Sequence, residues 1–577
     1  MKDYIHSALR EAHARCREQG RLSAECPPFL VEESRNPEHG ELCSNIALAA
    51  AKAERKAPRM IADALLENLP DAGRRFTRAD VGGAGFINFV LTSTSWHEEL
   101  RRLLAASDPI LNTSAPSGKR IQIEFVSANP TGPLNVVNAR AASLGDSLTR
   151  ILRALGETVD REFYINDAGH QVKLLGASVE ARVRTLAGEP TSVPEGGYHG
   201  EYLRDLAAEI LAREGHAALE HADSVEHYRD LAVRFMVALH RRSLEQLGVT
   251  FERWFSEREM HEDGRVWAAL ERLRALGHTY RTDAASAEDD DAAGEAEGPP
   301  PPTAAAGSAE LLRTTAFGDD KDRVLVRSDG RPTYFLADIA YHLDKLNRGY
   351  DLLLDIWGPD HHGHIARMKA ALAALGKPAD AFDVLIAQQV NLIQNGERLK
   401  MSKRAGKFFE LDALVGVTGA DAARFFFVNR RFDSHLDFDV DLATSQTQDN
   451  PVYYIQYAHA RIASVFTVYE ERQGAPLALV PTLGALEPLA LPEELGLIRA
   501  LVSYPDTVKA AAAAYEPHRI ATFLHELATK LQQYYQHHRF IVEDEALTAA
   551  RLYLVRAVQN VLRHGLGLLG VSAPDRM

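Results

Sequence analysis

The stretch from Ile121 to Ile151 constrains the fold more than any other part of the chain. Ile121–Val126 is a short apolar run suited to a buried parallel strand. The Pro- and Gly-containing loop Asn129–Pro133 follows it, and from Val136 onward small and aliphatic residues recur at helical spacing. A strand, a tight loop and a helix in this order aim the N–H groups of a helix N-terminus at an anion, commonly a nucleotide phosphate. The stretch therefore predicts the first unit of a nucleotide-binding α/β domain.

Strand-like and helix-like segments alternate from about residue 116 to 446, which predicts a Rossmann-like catalytic domain with a parallel sheet and helical insertions. Val159–Ile165 is the expected second strand, and a mostly helical insertion is expected at about 190–270. Residues 283–308 combine an acidic run, a proline run and an Ala/Gly-rich tail. Such a composition buries too little apolar surface to offset its ordering entropy, so a disordered surface insertion is expected there.

Two flanking domains are predicted because the 577 residues exceed the size at which a single core stops growing, about 250–300 residues. Residues 1–115 contain helix-like stretches and a Gly turn leading into a strand, as in a small α/β module. Residues 447–577 are helical by period almost throughout, which predicts an all-α bundle.

Composition limits the cellular setting and the partners. Cys16, Cys26 and Cys43 form no C-x-x-C pair, so they indicate reduced thiols in a cytoplasmic protein and argue against a structural zinc site. Nothing approaches an apolar run of about 20 residues, and the polar N-terminus is not a signal peptide, so no membrane association is expected. The formal net charge of −15 argues only weakly against a nucleic-acid partner, because RNA binding requires local basic surface and not a basic chain.

The strongest single signal is Lys400-Met401-Ser402-Lys403, a KMSK string in a Gly-containing basic stretch. Two lysines three positions apart can place two ammonium groups around a triphosphate and offset charge as its α-phosphoryl group is attacked. A basic loop is more often only solvated surface. This one follows the strand-like Val384–Ile393 in a candidate nucleotide-binding fold, and that context favours a role in phosphate chemistry.

Two further groups have a functional and a plainer interpretation. Tyr457, His459 and Arg461 lie on one predicted helix and are typical of a platform for unpaired bases, although each tyrosine could equally be core packing. The run Gly358-Pro359-Asp360-His361-His362-Gly363-His364 resembles the DHH motif of metal-dependent phosphoesterases. Such enzymes need further aspartate motifs nearer the N-terminus, and the sequence has none at suitable spacing, so no metal ligands are assigned.

Several segments together resemble the arginyl-tRNA synthetases, a class I aminoacyl-tRNA synthetase family. The segments that carry the resemblance are SANPTGPL, YHGEYL, FSERE, KMSK, DNPVYYIQYAHARI and LLGVSAPDRM, with HGELCSNIALAAAKAERKAPRMIA and GFINF near the N-terminus. The likeness spans nearly the whole chain, apart from the acidic insertion. It departs from the family at the His-x-Gly-His signature, where this chain has Asn135-Val136-Val137-Asn138.

The resemblance implies a set of site residues. Lys403 and Lys400, with Asn135 and Asn138 in place of the signature histidines, would act on the phosphates during catalysis. The implied ATP-binding residues are Asn135, Val137, Asn138, Gly358, Asp360, His361, Lys400, Met401, Ser402 and Lys403. The implied arginine-binding residues are Glu124, Ser127, Asn129, Tyr334 and Asp338. The N-terminal domain would contact the tRNA elbow, and Tyr457, His459 and Arg461 would lie in the anticodon-binding domain.

The function implied is arginine–tRNA ligation by a monomer that uses ATP with Mg²⁺, forms arginyl-adenylate and transfers arginine to tRNA-Arg. An asparagine amide is a neutral hydrogen-bond donor and can reach a phosphate oxygen as a histidine does, with shorter reach. The altered signature also admits an alternative, a catalytically impaired paralogue that still binds tRNA. A DHH-type phosphoesterase is the more distant alternative.

Overall fold

The computed structural model describes residues 1–34, 36–106, 108–110, 116–221, 224–283, 308–399, 410–474 and 476–577. The N-terminal part is an antiparallel four-stranded sheet in the order β1-β2-β4-β3, packed against helices. Its elements are α1 (Lys2–Glu18), β1 (Val31–Glu33), β2 (Leu42–Ser44), α2 (Ile46–Glu54), α3 (Pro58–Glu67), α4 (Ala72–Arg75), β3 (Phe76–Gly82), β4 (Phe86–Leu91) and α5 (Ser93–Ala105).

The central part begins with the strand and helix that the sequence predicts. Its first elements are β5 (Arg120–Glu124), α6 (Val136–Ala154), β6 (Thr158–Ile165), α7 (His170–Leu186), α8 (Glu201–Glu214), α9 (Ser224–Gln246), β7 (Arg253–Ser256), α10 (Glu257–Glu262) and α11 (Arg265–Ala275). It continues with β8 (Thr279–Asp283), β9 (Ser308–Leu312), β10 (Arg323–Val326), α12 (Tyr334–Asn347), β11 (Leu352–Trp357), α13 (His364–Ala374) and β12 (Phe382–Ile386).

The main sheet has five strands in the order β12-β11-β5-β6-β7, and every neighbouring pair is parallel. Four of the five residues of β5 are buried, as expected for the central strand of a sheet covered on both faces. Gly145 in α6 allows this helix to approach the end of β5, because a Cβ there would lie 2.4 Å from the Phe125 ring. The predicted Rossmann-like parallel sheet with helical insertions is confirmed.

The helical insertion consists mainly of α7, α8 and α9, which precede the edge strand β7. The acidic insertion falls between β8 and β9, which pair as antiparallel neighbours with Asp283 opposite Ser308. Residues 284–307 lie outside the described residues, so the prediction of disorder stays a prediction. The expected insertion was bounded by residues 283 and 308, and both of these belong to strands: Asp283 ends β8 and Ser308 begins β9.

Two further sheets have three strands each, and the first has the order β10-β9-β8. The second lies in the segment with β13 (Val390–Gln394), β14 (Glu397–Arg398), α14 (Leu411–Thr418), α15 (Ala420–Val428), β15 (Leu436–Asp439) and α16 (Val440–Thr444). Its strands have the order β14-β13-β15. The single strand expected at Val384–Ile393 is wrong: this segment spans the end of β12 and most of β13, which belong to different sheets. The Gln388 N–H donates to the carbonyl of Phe432 at 3.0 Å in the intervening bend.

The C-terminal part is all-helical, as predicted. Four long helices, α17 (Pro451–Gln473), α18 (Pro492–Ala513), α19 (His518–His537) and α20 (Glu545–Leu568), pack around a shared apolar core. Pro451 and Pro492 each stand in the first helical turn, where a missing N–H costs nothing. In the part of the chain that is described, no helix has the length and apolar character needed to span a bilayer.

Helix α6 is joined to the C-terminal bundle by the buried guanidinium of Arg424. Nη2 donates to Asp146 Oδ2 in α6 at 2.6 Å, and Nε donates to the carbonyl of Leu569, just after α20, at 3.1 Å. Burial alone would raise the pKa of Asp146, but Arg424 and Arg150 lower it below its ordinary value. Gly570 is required beside this contact, since a Cβ there would lie 2.0 Å from Arg424 Nη2.

Candidate active site

The candidate site lies at the carboxyl edge of the parallel sheet, where β5 ends and α6 begins. Two consecutive residues after β5, Val126 and Ser127, have positive φ values of 73° and 38°. A β-branched residue in this region is a backbone outlier, and such strain persists only where surrounding contacts fix it. The Ser127 hydroxyl supplies such contacts: it donates to Glu124 Oε1 at 2.8 Å and accepts from the Tyr164 N–H at 3.1 Å.

Asn135 and Asn138 form a reciprocal capping box at the N-terminus of α6. Asn135 Oδ1 accepts from the N–H groups of Val137 at 2.9 Å and Asn138 at 3.1 Å, and Asn138 Oδ1 accepts from the Asn135 N–H at 3.0 Å. The oxygens of both amides therefore have local backbone partners. Their NH₂ groups donate to no other described residue, and Asn135 is exposed. Val137 is half-buried and packs against the core instead of standing free over the site.

The segment with the KMSK string returns to this helix terminus. Lys400, Met401, Ser402 and Lys403 lie outside the described residues, so their predicted roles stay predictions. The two ends of the segment are described. Leu399 donates to Leu392 at 2.8 Å, and beyond the segment Glu410 pairs with Asn135 while Leu411 donates to Leu134 at 2.8 Å. The chain between residues 399 and 410 must therefore end beside the first turn of α6.

A buried ammonium group organises the base of the site. Lys345, which is inaccessible to solvent, contacts Glu124 Oε2 at 2.5 Å and Asp355 Oδ1 at 3.0 Å. His342 Nε2 contacts the other Asp355 oxygen at 2.9 Å. Burial would lower the pKa of Lys345, but the carboxylates of Asp355 and Glu124 raise it above its ordinary value. Both oxygens of Glu124 thus have partners within the protein.

Above this base, acidic groups surround a partly exposed tyrosine. Enclosure raises the pKa of Tyr164 well above its ordinary value, and the carboxylates of Glu257, Asp338 and Glu124 raise it further. Glu257 is 3% exposed, its carboxylate lies beside the Tyr164 hydroxyl, and its buried Oε2 has no well-formed hydrogen bond to any described residue. Burial raises the pKa of Glu257, and the nearby Asp338 and Asp167 add to the rise despite the opposing effect of His261. This environment favours a cation as ligand.

Glu257 is a residue that the sequence analysis missed. It stands first in α10, and that helix start is held by Asp167, which accepts from the Ser256 hydroxyl at 2.7 Å and the Arg258 N–H at 2.9 Å. Glu257 lies in the FSERE segment, which resembles the family. The mixed Phe251–Ser256 stretch before it contains charged residues and carries only a weak strand signal, so the sequence gives little sign that Glu257 follows a strand of the parallel sheet.

The other predicted arginine-binding residues occupy the rim. Asp338 and Tyr334 are half-buried in the first two turns of α12, and Asp338 Oδ2 contacts His364 Nε2 at 3.0 Å. Asn129 is exposed and donates from Nδ2 to Gln171 Oε1 at 3.0 Å. Two stretches about 200 positions apart in the sequence thus come to one edge of the sheet, with Glu124 and Ser127 at its base.

Gly358, Asp360 and His361 lie on the turn after β11. Gly358 is half-buried and precedes a short 3₁₀ helix, Pro359–His361, while Asp360 and His361 are exposed. The adjoining residues Pro359 and His362 line a cavity of about 590 Å³ at the end of β12. The Asp-His-His run brings no three metal-ligand atoms together in the described parts of the chain, where such a grouping occurs only at Glu214, His221 and His227.

The predicted platform on α17 is partly incorrect. Tyr457 is 36% exposed, and the Arg461 guanidinium lies over the Tyr535 ring at 3.6 Å, so both groups reach a surface with aromatic character. His459 is fully buried and its Nδ1 contacts the carbonyl of Pro574 at 2.9 Å. Residues two apart on a helix point to opposite sides, so His459 faces the interior while Tyr457 and Arg461 face the surface. A buried ring cannot stack on a base.

Comparisons with known proteins agree along the whole chain. The family model of the DALR anticodon binding domain matches residues 455–577, and that of the Arginyl tRNA synthetase N terminal domain matches residues 1–91. An arginine–tRNA ligase from Desulforamulus reducens is 42% identical over 583 residues, covering 100% of this chain and 99% of the relative. One from Moorella thermoacetica is 43% identical over 582 residues, with the same coverage. The Thermus thermophilus arginyl-tRNA synthetase structure, 22% identical, shares the fold with a TM-score of 0.71 over 100% of both chains.

Proposed function

Because the chain belongs to the arginyl-tRNA synthetase family and is an arginine–tRNA ligase, we propose that the carboxyl edge of its parallel sheet binds arginine and ATP side by side. Arginine lies over β5, β6 and β7, and ATP lies between the N-terminus of α6 and the turn after β11. The observation that carries this assignment is the acidic pocket around Tyr164, in which the Glu257 carboxylate is buried beside the Tyr164 hydroxyl and Asp338 and has no cation on its Oε2 among the described residues.

The guanidinium of arginine is assigned to Glu257 and Asp338, with Tyr334 and Tyr164 as neighbouring aromatic groups. Two carboxylates beside aromatic rings suit a planar cation with several N–H donors. Glu124 is not assigned as a direct acceptor for the guanidinium, because Lys345 and Ser127 already contact its two oxygens. It fixes the strained turn through Ser127, and Asn129 on the rim is assigned to the α-amino or carboxylate end of the substrate.

The phosphates of ATP are assigned to the first turn of α6 and to the KMSK segment. The N–H groups and dipole of a helix N-terminus favour a phosphate there. The Nδ2 groups of Asn135 and Asn138 provide two neutral donors, because capping uses only their oxygens. Lys403, assisted by Lys400, offsets negative charge on the phosphates, and Met401 and Ser402 complete that segment. Gly358, Asp360 and His361 are assigned to the nucleoside portion, and Mg²⁺ accompanies the triphosphate.

These groups support two successive transfers. An oxygen of the arginine carboxylate attacks the α-phosphorus of ATP, the bond to the β,γ-phosphates breaks, and pyrophosphate leaves with its electron pair, giving arginyl-adenylate. A hydroxyl of the 3′-terminal ribose of tRNA-Arg then attacks the arginyl carbonyl and releases AMP. The protein supplies positioning and charge stabilisation, which account for most of the acceleration in phosphoryl-transfer chemistry.

The tRNA is proposed to contact the outer domains. Tyr457 and Arg461, beside Tyr535, provide an aromatic and basic surface on the C-terminal bundle. His459 is excluded from this surface by its burial. The N-terminal domain is assigned to the tRNA elbow. We further propose that the enzyme acts as a monomer in the cytoplasm, a setting consistent with the three unpaired cysteines.

Arginine-dependent ATP–pyrophosphate exchange, with and without tRNA-Arg, tests the assignment. Exchange is expected with arginine and should fall sharply when lysine or citrulline replaces it, because neither carries a guanidinium. Absence of exchange in both conditions, with tRNA binding intact, would instead indicate the impaired paralogue. The full-length likeness to arginine–tRNA ligases does not favour that alternative or the phosphoesterase.

A further inference from the structure

We infer that Glu214, His221 and His227 form a binding site for a divalent transition metal ion such as Zn²⁺, separate from the arginine and ATP sites. Glu214 is the last residue of α8, His221 follows a short 3₁₀ helix, and His227 lies in the first turns of α9. One ligand atom from each residue lies within 4.8 Å of the others. The site belongs to the helical insertion, and the proposal does not depend on the assignments made for the sheet edge.

The distances suit a shared ion better than hydrogen bonds. Glu214 Oε2 lies 3.3 Å from Nε2 of His221 and 3.3 Å from Nε2 of His227. Zinc bonds of about 2.0–2.2 Å in tetrahedral geometry place neighbouring ligand atoms about 3.3–3.5 Å apart. A hydrogen bond between an imidazole and a carboxylate is shorter, about 2.7–2.9 Å when charge-assisted. The observed separations match the edge of a metal tetrahedron.

Both imidazoles present Nε2 on the same side, and coordination of one shared ion requires the two rings to turn out of their stacked arrangement. The two rings are stacked, with centroids 3.6 Å apart and planes 23° apart, and both present Nε2 to the same carboxylate oxygen. As hydrogen-bond donors, both rings would align their N–H dipoles in parallel and share one acceptor. With an ion present, both nitrogens offer lone pairs to it instead, and the carboxylate supplies a third ligand and negative charge.

The surroundings allow the ligands to close on an ion. The His221 and His227 side chains are 36% and 27% exposed, so the rings can open from their stack by rotating about their side-chain bonds. Arg213 donates to Glu214 Oε1 at 2.6 Å and leaves Oε2 directed at the histidines. Two histidines and one glutamate leave a fourth tetrahedral position for water, the ligand set of an open zinc site.

Such an ion would fasten the end of α8 to the start of α9. Helices α8 and α9 both pack on α7 in a separate apolar cluster of this insertion. Among the described residues of the connection, Ala218 packs in that cluster and its carbonyl accepts a hydrogen bond from the Tyr228 hydroxyl. The ion would link the two helices, which departs from the expectation, drawn from the cysteines alone, of no structural zinc, and its effect is expected on local stability and not on the reacting groups.

Calorimetric titration of the chelator-treated full chain with ZnCl₂ tests the proposal. We expect one saturable site per chain, with affinity reduced at least about tenfold in His221→Asn and His227→Asn. His216→Asn is the matched control, because His216 lies exposed in the same connection and outside the group. Co²⁺ added to the wild-type chain should give the visible absorption of a tetrahedral ion, and Zn²⁺ should abolish it.

The proposal is overturned if zinc binds equally well to His227→Asn and His216→Asn, which would identify weak binding to scattered surface histidines. It is also overturned if no saturable binding occurs, or if Co²⁺ shows only an octahedral spectrum. The cobalt spectrum of the unmodified chain decides the matter even if a variant fails to fold.

Discussion

Asn135 and Glu410 pair through their backbones in an antiparallel bridge. One residue begins the helix that follows the first strand of the sheet, and the other ends the segment with the KMSK string. The start of α6 and the described residue that follows the KMSK segment, far apart in the sequence, thus meet at one point. Because the two backbones are paired here, a shift of either element should displace the other.

Asn135→Asp separates the capping role of this side chain from its proposed donor role. Aspartate caps a helix as well as asparagine does, so the thermal stability should change little, whereas Asn135→Ala should cost about 1 kcal/mol. Pyrophosphate exchange should fall at least about tenfold in both variants, because both lack the Nδ2 donor. Wild-type exchange in Asn135→Asp would show that the amide serves only as a cap.

Lys403→Ala should abolish most of the pyrophosphate exchange while leaving arginine binding in place. Loss of one group that stabilises charge in the transition state costs about 10²–10³ in rate, so kcat should fall more than KM rises. Lys369→Ala is the matched control, since this lysine forms only an exposed pair with Asp383 at 3.0 Å. Equal exchange rates in the two variants would remove Lys403 from the proposed machinery.

Glu257→Gln should weaken arginine binding about 10–100-fold at neutral pH, because a hydrogen bond to a charged group contributes about 1.5–3 kcal/mol. The pKa of Glu257 is raised by burial and by Asp338 and Asp167. A guanidinium favours the ionised carboxylate, so wild-type affinity should decline as the pH falls through this raised pKa, above the usual glutamate range.

The pH dependence of the KM for arginine measures this effect. The decline should flatten in Glu257→Gln and persist in Glu262→Gln, whose side chain is 68% exposed on the same helix. Asp338, Asp167 and His261 also face Glu257, and they are unchanged in both variants. An unchanged profile in Glu257→Gln would contradict the assignment.

Lys345→Met should destabilise the catalytic domain by about 3–5 kcal/mol, because it leaves Glu124 and Asp355 as buried carboxylates without their cation. Urea denaturation followed by intrinsic fluorescence measures the change. Lys369→Met, which removes an exposed ion pair, should cost less than about 1 kcal/mol. Equal stabilities of these two variants would show that the buried cluster does not support the site.

Local pattern was sufficient for much of the fold. Ile121–Val126 and the helix from Val136 correspond to β5 and α6, and the bundle predicted for residues 447–577 is formed by α17 to α20. These elements have strong periodicity and clear boundary residues, so local sequence decides them. The bend between β12 and β13 was missed because the apolar run continues through it while its backbone partner, Phe432, comes from a distant segment.

The candidate site was less predictable, because its electrostatics depend on residues brought together only by the fold. Lys345 belongs to no sequence motif, yet its ammonium group contacts the carboxylates of both Glu124 and Asp355. Glu257 becomes unusual only through its burial. The error at His459 had a signal in the sequence: Tyr457 and Arg461 are four residues apart and share a helix face, whereas His459 falls midway between them on the opposite face.

Asp283 and Ser308 face each other across the β8–β9 ladder, so the chain leaves and re-enters the domain at one point. The register of this hairpin is fixed by the paired strands and not by the 24 residues between them. Loop-closure entropy rises by only about 0.6 kcal/mol for each doubling of length. A reporter or affinity tag inserted at this position, or a shortening of the native segment to a tight turn, should therefore leave the antiparallel register of β8 and β9 unchanged.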